Sequence, residues 1–277
     1  MMDYLNPDPS ASQFPPRRDM LCDKIYESKI WLGEFNYFTN ISLKNQYVYF
    51  EIAKAGCTSV KKFLGLIEFQ DEGLGPDIPA AFLENPHCNV IGTPFVKPFQ
   101  LSSAVLLGIL SPDTSFNLFT VCRNPYTRAL SAYLDKIKFL TPECSTLLPC
   151  TDKPTSEWSF LDFLQAVRRS CVEDPCSVDK HWRPQAWNIG KIAGYKAFTF
   201  FKLEQGAWQE NILRHVQSDY INDLSSLDAS SGLEMYHARN AAGRLCDYYT
   251  PDCILAVQDI YEEDFRCFSY DTECSGL

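Results

Sequence analysis

The stretch QYVYFEIAKAGCTSVKKFLGLIEF, residues 46–69, decides the fold. Its opening, Gln46 to Ala53, alternates and is rich in β-branched and aromatic side chains, which predicts a buried strand ending at Lys54. The short turn AGCTS follows, after which Val60, Phe63, Leu64 and Ile67 recur at helical spacing. FNLFTVCRNPYTRALSAYLDK, residues 116–136, repeats the arrangement. Phe116 to Val121 reads as a strand, Asn124 as an N-cap, and Pro125 as a first helical residue whose missing N–H would be unpaired there anyway. YKAFTFFKL, residues 195–203, is a third strand, with EQGAWQENILRHV as the helix after it. Strands alternating with helices predict an α/β fold of three layers, a central parallel sheet flanked by helices.

Around these units, residues 1–20 hold four of the chain's 17 prolines and little periodicity, so they read as a loose N-terminal arm, with a single domain over 21–277. Residues 71–98 and 141–155 read as loops, 101–110 and 157–170 as helices, and DKHWRPQAWNIG (179–190) as a structured loop. Residues 218–244, rich in Ser, Asp, Gly and Asn, form a candidate lid, and a final helix spans 250–268. The 277 residues carry a net charge of −10, which argues against nucleic acid or an anionic membrane surface as partner. No apolar segment opens the chain, and AVLLGIL (104–110) is far short of the roughly 20 residues of a bilayer span. That points to a cytoplasmic protein with no membrane contact, and to the Golgi lumen only for a chain truncated at its N-terminus. Twelve cysteines without a CxxC pair argue against a zinc ribbon, and without an export signal most are expected as free thiols.

Two turns can carry chemistry. A strand feeding a helix through KAGCTSV presents backbone N–H groups and the positive end of a helix dipole to an anion, so a phosphate is the natural ligand. Lys54 adds a point charge and Thr58 and Ser59 add hydroxyls, while the bland alternative is a hydroxyl-capped helix beside a solvated lysine. In CRNPYTRALSAY, Arg123 sits at a strand's carboxyl end and Asn124, Arg128 and Ser131 share one helix face, a second anion site suited to a phosphate monoester. The GxxxxGK[ST] loop of nucleoside triphosphatases is absent. Phosphate sites at the ends of two strands describe a nucleoside carrying phosphates at both ends.

AKAGCTSVKKFL and FTVCRNPYTRALSAYLDK resemble the 5′-phosphosulfate loop and the 3′-phosphate motif of sulfotransferases that use 3′-phosphoadenosine 5′-phosphosulfate (PAPS), nearest the carbohydrate sulfotransferase (sulfotransferase family 2) group. HWRPQ with YKAFTFFKLE, and the ending YYTPDCILAVQDIYEEDFRCFSY, are similar to the latter part of that group, so the resemblance covers about Tyr47 to Tyr270. It implies a P-loop NTPase-like sulfotransferase fold, PAPS as sulfate donor, 3′-phosphoadenosine 5′-phosphate (PAP) as product, and no metal. It implies further that Lys54 contacts the 5′-phosphate, that Ala55, Gly56, Cys57, Thr58 and Ser59 form the phosphate turn, and that Arg123 and Ser131 hold the 3′-phosphate. Ala53 stands where the group has proline, and the membrane anchor of its Golgi members is not seen.

Sulfuryl transfer needs a base for the acceptor's proton, and histidine suits neutral pH. His87, in the region that supplies the base in several relatives, is the first choice, and His181 in HWRPQ the second. His215 and His237 lack comparable context, and Glu204 or Asp135 are carboxylate alternatives. Arg239, in the candidate lid, is expected to add a cation to the donor, as is Arg244. Trp182, Trp187, Tyr195 and Phe198 read as core or as an acceptor wall. Lys136, Lys138, Arg168, Arg169, Lys180 and Arg183 could form a basic groove. The acceptor is expected to be a hydroxyl or amine of a glycan or small natural product, and oligomeric state stays open. The rival readings are a magnesium-dependent nucleotide or small-molecule kinase, and a non-catalytic protein that binds the nucleotide without turnover.

Overall fold

The computed structural model describes residues 12–14, 29–69, 79–87, 93–138, 154–190, 198–206, 208–216 and 241–274. Its strands are β1 (Ser12–Phe14), β2 (Thr39–Ser42), β3 (Tyr47–Phe50), β4 (Asn117–Cys122) and β5 (Phe198–Lys202), in the order β1-β5-β4-β3-β2. β3, β4 and β5 run parallel, with Tyr49 opposite Phe119 and Thr120 opposite Phe200. The sheet is parallel only at this centre, since β2 and β1 add antiparallel edges. For β2 the reason is local: only residues 43–46 join it to β3, far too few for a parallel crossover. Ser12–Phe14, within the segment expected as a loose arm, pairs with β5 and so covers its open edge.

Strand alternation divides the buried side chains between two faces. Tyr47, Tyr49, Phe119, Val121 and Phe201 pack against α2 (Cys57–Phe69) and α8 (Trp208–His215). Val48, Phe50, Leu118, Phe198 and Phe200 pack on the opposite side against α1 (Lys29–Phe38), α4 (Ser103–Leu110) and α7 (Gln185–Gly190). This is the three-layer α/β arrangement. A further cluster contains Trp182 and joins α5 (Pro125–Tyr133), α6 (Phe160–Glu173), α9 (Leu245–Tyr248), α10 (Pro251–Ile260) and α11 (Glu262–Cys267). The expected caps form: Asn124 Oδ1 accepts from Tyr126 N at 2.9 Å, and Thr250 Oγ1 from Cys253 N at 3.3 Å.

Several boundaries differ from the sequence reading. β3 stops at Phe50, so Glu51 onward belongs to the turn, and the terminal helix breaks at Tyr261 into α10 and α11. DKHWRPQAWNIG is not all loop, because Gln185–Gly190 is α7, and the loop read over 71–98 contains α3 (Ala80–Glu84). Both helices are too short for a period to show. Cys57, Cys122, Cys171, Cys176, Cys253 and Cys274 are free thiols, and no described helix is long and apolar enough to cross a membrane.

Gly65, on α2, lies under Phe82 of α3: a Cβ there would sit 2.3 Å from Phe82 Cε1. Alanine normally favours a helix interior by about 1 kcal/mol over glycine, but overpacking a buried ring costs about 1–3 kcal/mol. Gly65→Ala is therefore expected to lower the urea midpoint of unfolding at unchanged m-value, and a raised midpoint would contradict this packing.

Candidate functional site

Where β3 ends, the chain must turn sharply to start α2, and it does so through two left-handed residues, Lys54 (φ 66°) and Gly56 (φ 74°). Gly56 is required twice over, because a Cβ there would also come within 2.9 Å of Leu203 Cδ1. The amides of Cys57, Thr58 and Ser59, in the first turn of α2, have no acceptor among the described residues and face a cavity of about 530 Å³. That cavity is lined by Lys54, Gly56, Cys57, Thr58 and Ser59, and on its other walls by His87, Arg123, Ser131 and His181. Ala55 differs from its neighbours in the turn: it is buried and its N–H closes the turn on Ile52 O at 3.1 Å, so it supports the turn from behind. Arg239 lies outside the described residues, as does most of the candidate lid.

Arg123 follows β4. Its Nη1 donates to Lys54 O at 3.2 Å and its Nε to Thr127 Oγ1 at 3.1 Å, which ties the two strand ends together. Burial works against its charge, and the nearby Glu204 carboxylate opposes that effect. Arg128 does not join it at the cavity, as the shared helix face suggested. It turns inward, 1% exposed, and donates to Ala53 O, Arg183 O and Lys180 O at 3.0, 2.9 and 3.3 Å. Gln185 and Asp264, not singled out from the sequence, hold Arg123 from behind; Gln185 lay in a segment read as loop and Asp264 in the final helix, and neither position announces its distant partner. Lys54 Nζ is 3.0 Å from Asp135 Oδ2, which Lys136 also approaches at 3.3 Å. Partial burial alone would raise the Asp135 carboxyl, but the Lys54 and Lys136 ammonium groups outweigh it and drive it down to about 2. Glu204 is engaged elsewhere, accepting from Asn124 N at 2.7 Å and Tyr270 Oη at 2.9 Å.

The two histidines of the cavity differ in environment. His87 Nε2 lies 2.9 Å from Thr58 Oγ1 and 3.9 Å from Cys57 Sγ, and its Nδ1 lies 3.6 Å from buried Glu51. Burial disfavours its cation, yet its contacts with Cys57 Sγ and the Glu51 carboxylate raise it to about 9. That shift favours the imidazolium, which suits His87 to contacting negative charge more than to the role of base expected from the sequence. His181 Nδ1 donates to Asp179 Oδ1 at 2.6 Å. Burial, with repulsion from Lys136 and Lys54, holds this imidazole below its usual range against the pull of Asp179. His215 packs edge-on against Phe119 and Phe201, and His237 is outside the described residues. Trp182 and Phe198 are core; the aromatic wall comes instead from Tyr37 and Phe38, with Lys180 Nζ 4.9 and 5.4 Å from their rings. Arg244 binds Tyr248 Oη at 2.9 Å.

A sequence model described as the sulfotransferase family matches residues 39–271. The chain belongs to the sulfotransferase family. No curated protein and no solved structure gives a significant match. The matched range begins at β2 and closes after α11, so the two turns, both cavity histidines and the Asp264 segment of this sulfotransferase all fall within it. Among its described residues no group of His, Cys, Asp and Glu side chains is arranged to hold a metal ion.

The folded sulfotransferase keeps the His87 proton up to about pH 9, whereas an unfolded histidine releases it near pH 6.5. The stabilisation, up to about 3 kcal/mol, is therefore complete below about pH 6.5 and is lost as pH rises from there through about 9. Ring-proton NMR should show His87 titrating near 9 and His181 below 6.5, and His87→Gln should flatten the fall in stability across that window. A His87 resonance titrating at or below 6.5 would overturn the reading.

Proposed function

We propose that this sulfotransferase transfers the sulfuryl group of PAPS to a hydroxyl or amine of a carbohydrate or small-molecule acceptor, releasing PAP. The observation that carries the reading is the pairing of two anion cradles on one cavity. The amides of the β3–α2 turn with Lys54 form one, and Arg123 with Ser131 forms the other, with Arg123 Nη1 only 3.2 Å from the carbonyl of Lys54. The donor set suits a doubly phosphorylated nucleoside: free helix-terminal amides for one phosphate, a guanidinium for the other, and Gly56 leaving room for close approach.

The bound donor supplies an activated sulfuryl group on its 5′-phosphate. Lys54 Nζ exchanges Asp135 for the phosphate oxygens, and the amides of Cys57, Thr58 and Ser59 hold the charge that grows there as the bond to sulfur breaks. His87 contributes as a cation, its Nε2 proton directed at the Thr58 hydroxyl beside that charge. His181 Nε2 takes the acceptor proton as the acceptor oxygen or nitrogen bonds to sulfur in line with the leaving phosphate. Asp179 fixes the tautomer through Nδ1 and steadies the imidazolium that forms. Lys54, His181 and Asp179 are thus assigned to the transfer step, and His87 to donor binding. Tyr37, Phe38 and Lys180 flank His181 as the acceptor wall.

Calorimetry with PAP in the absence of magnesium tests the donor site. Arg123→Ala should weaken binding on the order of 100-fold and Lys54→Ala about tenfold, as expected for charge-assisted bonds. His181→Ala should leave PAP affinity unchanged while sulfate transfer from labelled PAPS falls by about 10²–10⁴. Tighter binding of ATP with magnesium than of PAP would favour a kinase, and binding without turnover on any acceptor would favour a non-catalytic role.

A further inference from the structure

Beyond His181, two segments that resemble the family have no part in that account: the rest of HWRPQ (182–185) and YEEDFRCFSY (261–270). They meet at Asp264. Its carboxylate is fully buried and takes three hydrogen bonds from the start of α7: Oδ2 accepts from Gln185 N at 3.0 Å and Gln185 Nε2 at 3.2 Å, and Oδ1 accepts from Ala186 N at 2.8 Å. The Gln185 side chain, itself fully buried, reaches on to the backbone of Arg123. Its Oε1 accepts from Arg123 N at 2.9 Å and its Nε2 donates to Arg123 O at 2.8 Å.

This clamp answers a specific need. Arg123 is one residue beyond β4, so neither its N–H nor its C=O has a ladder partner, and buried backbone groups left unpaired are costly. A planar side-chain amide, with a donor and an acceptor side by side, satisfies both at once. Asp264 fixes which way that amide faces, because Nε2 must lie between Asp264 Oδ2 and Arg123 O. The orientation in turn sets the backbone from which the guanidinium enters the cavity.

We infer that Gln185 and Asp264 are positioning residues for Arg123 and so set how strongly the site prefers a nucleotide bearing a 3′-phosphate. The inference rests on the donor proposed above. Asp264 acts through Gln185, and Gln185 through Arg123; neither touches the nucleotide.

The test compares two ligands, PAP and adenosine 5′-monophosphate, by calorimetry on the full chain, with thermal unfolding confirming that each variant is folded. Wild type should prefer the bisphosphate by roughly 10–100-fold. Gln185→Met should remove most of that preference while affinity for the monophosphate stays within about twofold, and Asp264→Asn should remove part of it. In an Arg123→Ala background, Gln185→Met should change the preference no further, a result that general loosening would not give. If Gln185→Met does not fold, Gln185→Glu, which keeps the acceptor but loses the donor, carries the same comparison. A wild-type preference kept intact in the folded variant overturns the inference, as does an equal loss for both ligands. A wild type that does not distinguish the ligands overturns the donor reading itself, and the inference with it.

Discussion

A guanidinium taken out of water costs on the order of several kcal/mol unless its donors are met, and Arg128 is buried in that way. Its donors are met by backbone carbonyls from two separate segments, Ala53 at the end of β3 and Lys180 and Arg183 in the segment leading to α7. Each of the first two immediately precedes a residue of the site: Ala53 comes before Lys54, and Lys180 before His181. The side chain that cannot be left unsatisfied thereby sets the separation between the phosphate turn and the proposed base. Burial disfavours the Arg128 charge, while the Tyr261 and Asp264 side chains counter it, so the C-terminal helix pair is bound into the same arrangement.

Asp264 has a second task in clamping Gln185, and the two tasks place both arginines of CRNPYTR under one buried carboxylate. Arg128 faces it through space, and Arg123 is reached through an amide. Glu204 holds the other side of the same turn through Asn124 N and Tyr270 Oη. A residue just beyond a strand has lost its ladder and has not yet entered a helix, so it needs such external partners. Here they come from segments 62 and 80 positions away in sequence.

What was legible in the sequence follows from where the physics is local. Asn124 and Pro125 announce a helix start, Gly56 a turn no other residue makes easily, and the alternation of residues 46–50 a strand, because caps, φ preferences and pleats act over a few neighbours. Lys54, Thr58, Ser59, Arg123 and Ser131 were accordingly found, and all reach the cavity. The antiparallel edge strands, the break at Tyr261 and the short helices α3 and α7 were not, since each is held by tertiary partners. Arg128 shows the limit most clearly. Helix periodicity put it on the face read as a second anion site, but it turns inward to carbonyls 75, 55 and 52 positions away, which no local pattern announces.

The histidines carry the same lesson into chemistry. Both were visible as candidates, but nothing in the sequence separates their environments. His87 sits between a thiol and a carboxylate that both hold its cation, beside the turn where negative charge must be stabilised. His181 has one carboxylate on Nδ1 and two lysines within electrostatic reach, and those lysines favour the neutral ring. In the proposed transfer one residue type serves opposite ends of the transferred group, as a cation beside the leaving phosphate and as a neutral base beside the acceptor. The division also reconciles the proposed anionic donor with a chain of net charge −10: positive charge is gathered inside the cavity on Lys54, His87 and Arg123, where low dielectric makes each count for more than it would on the surface.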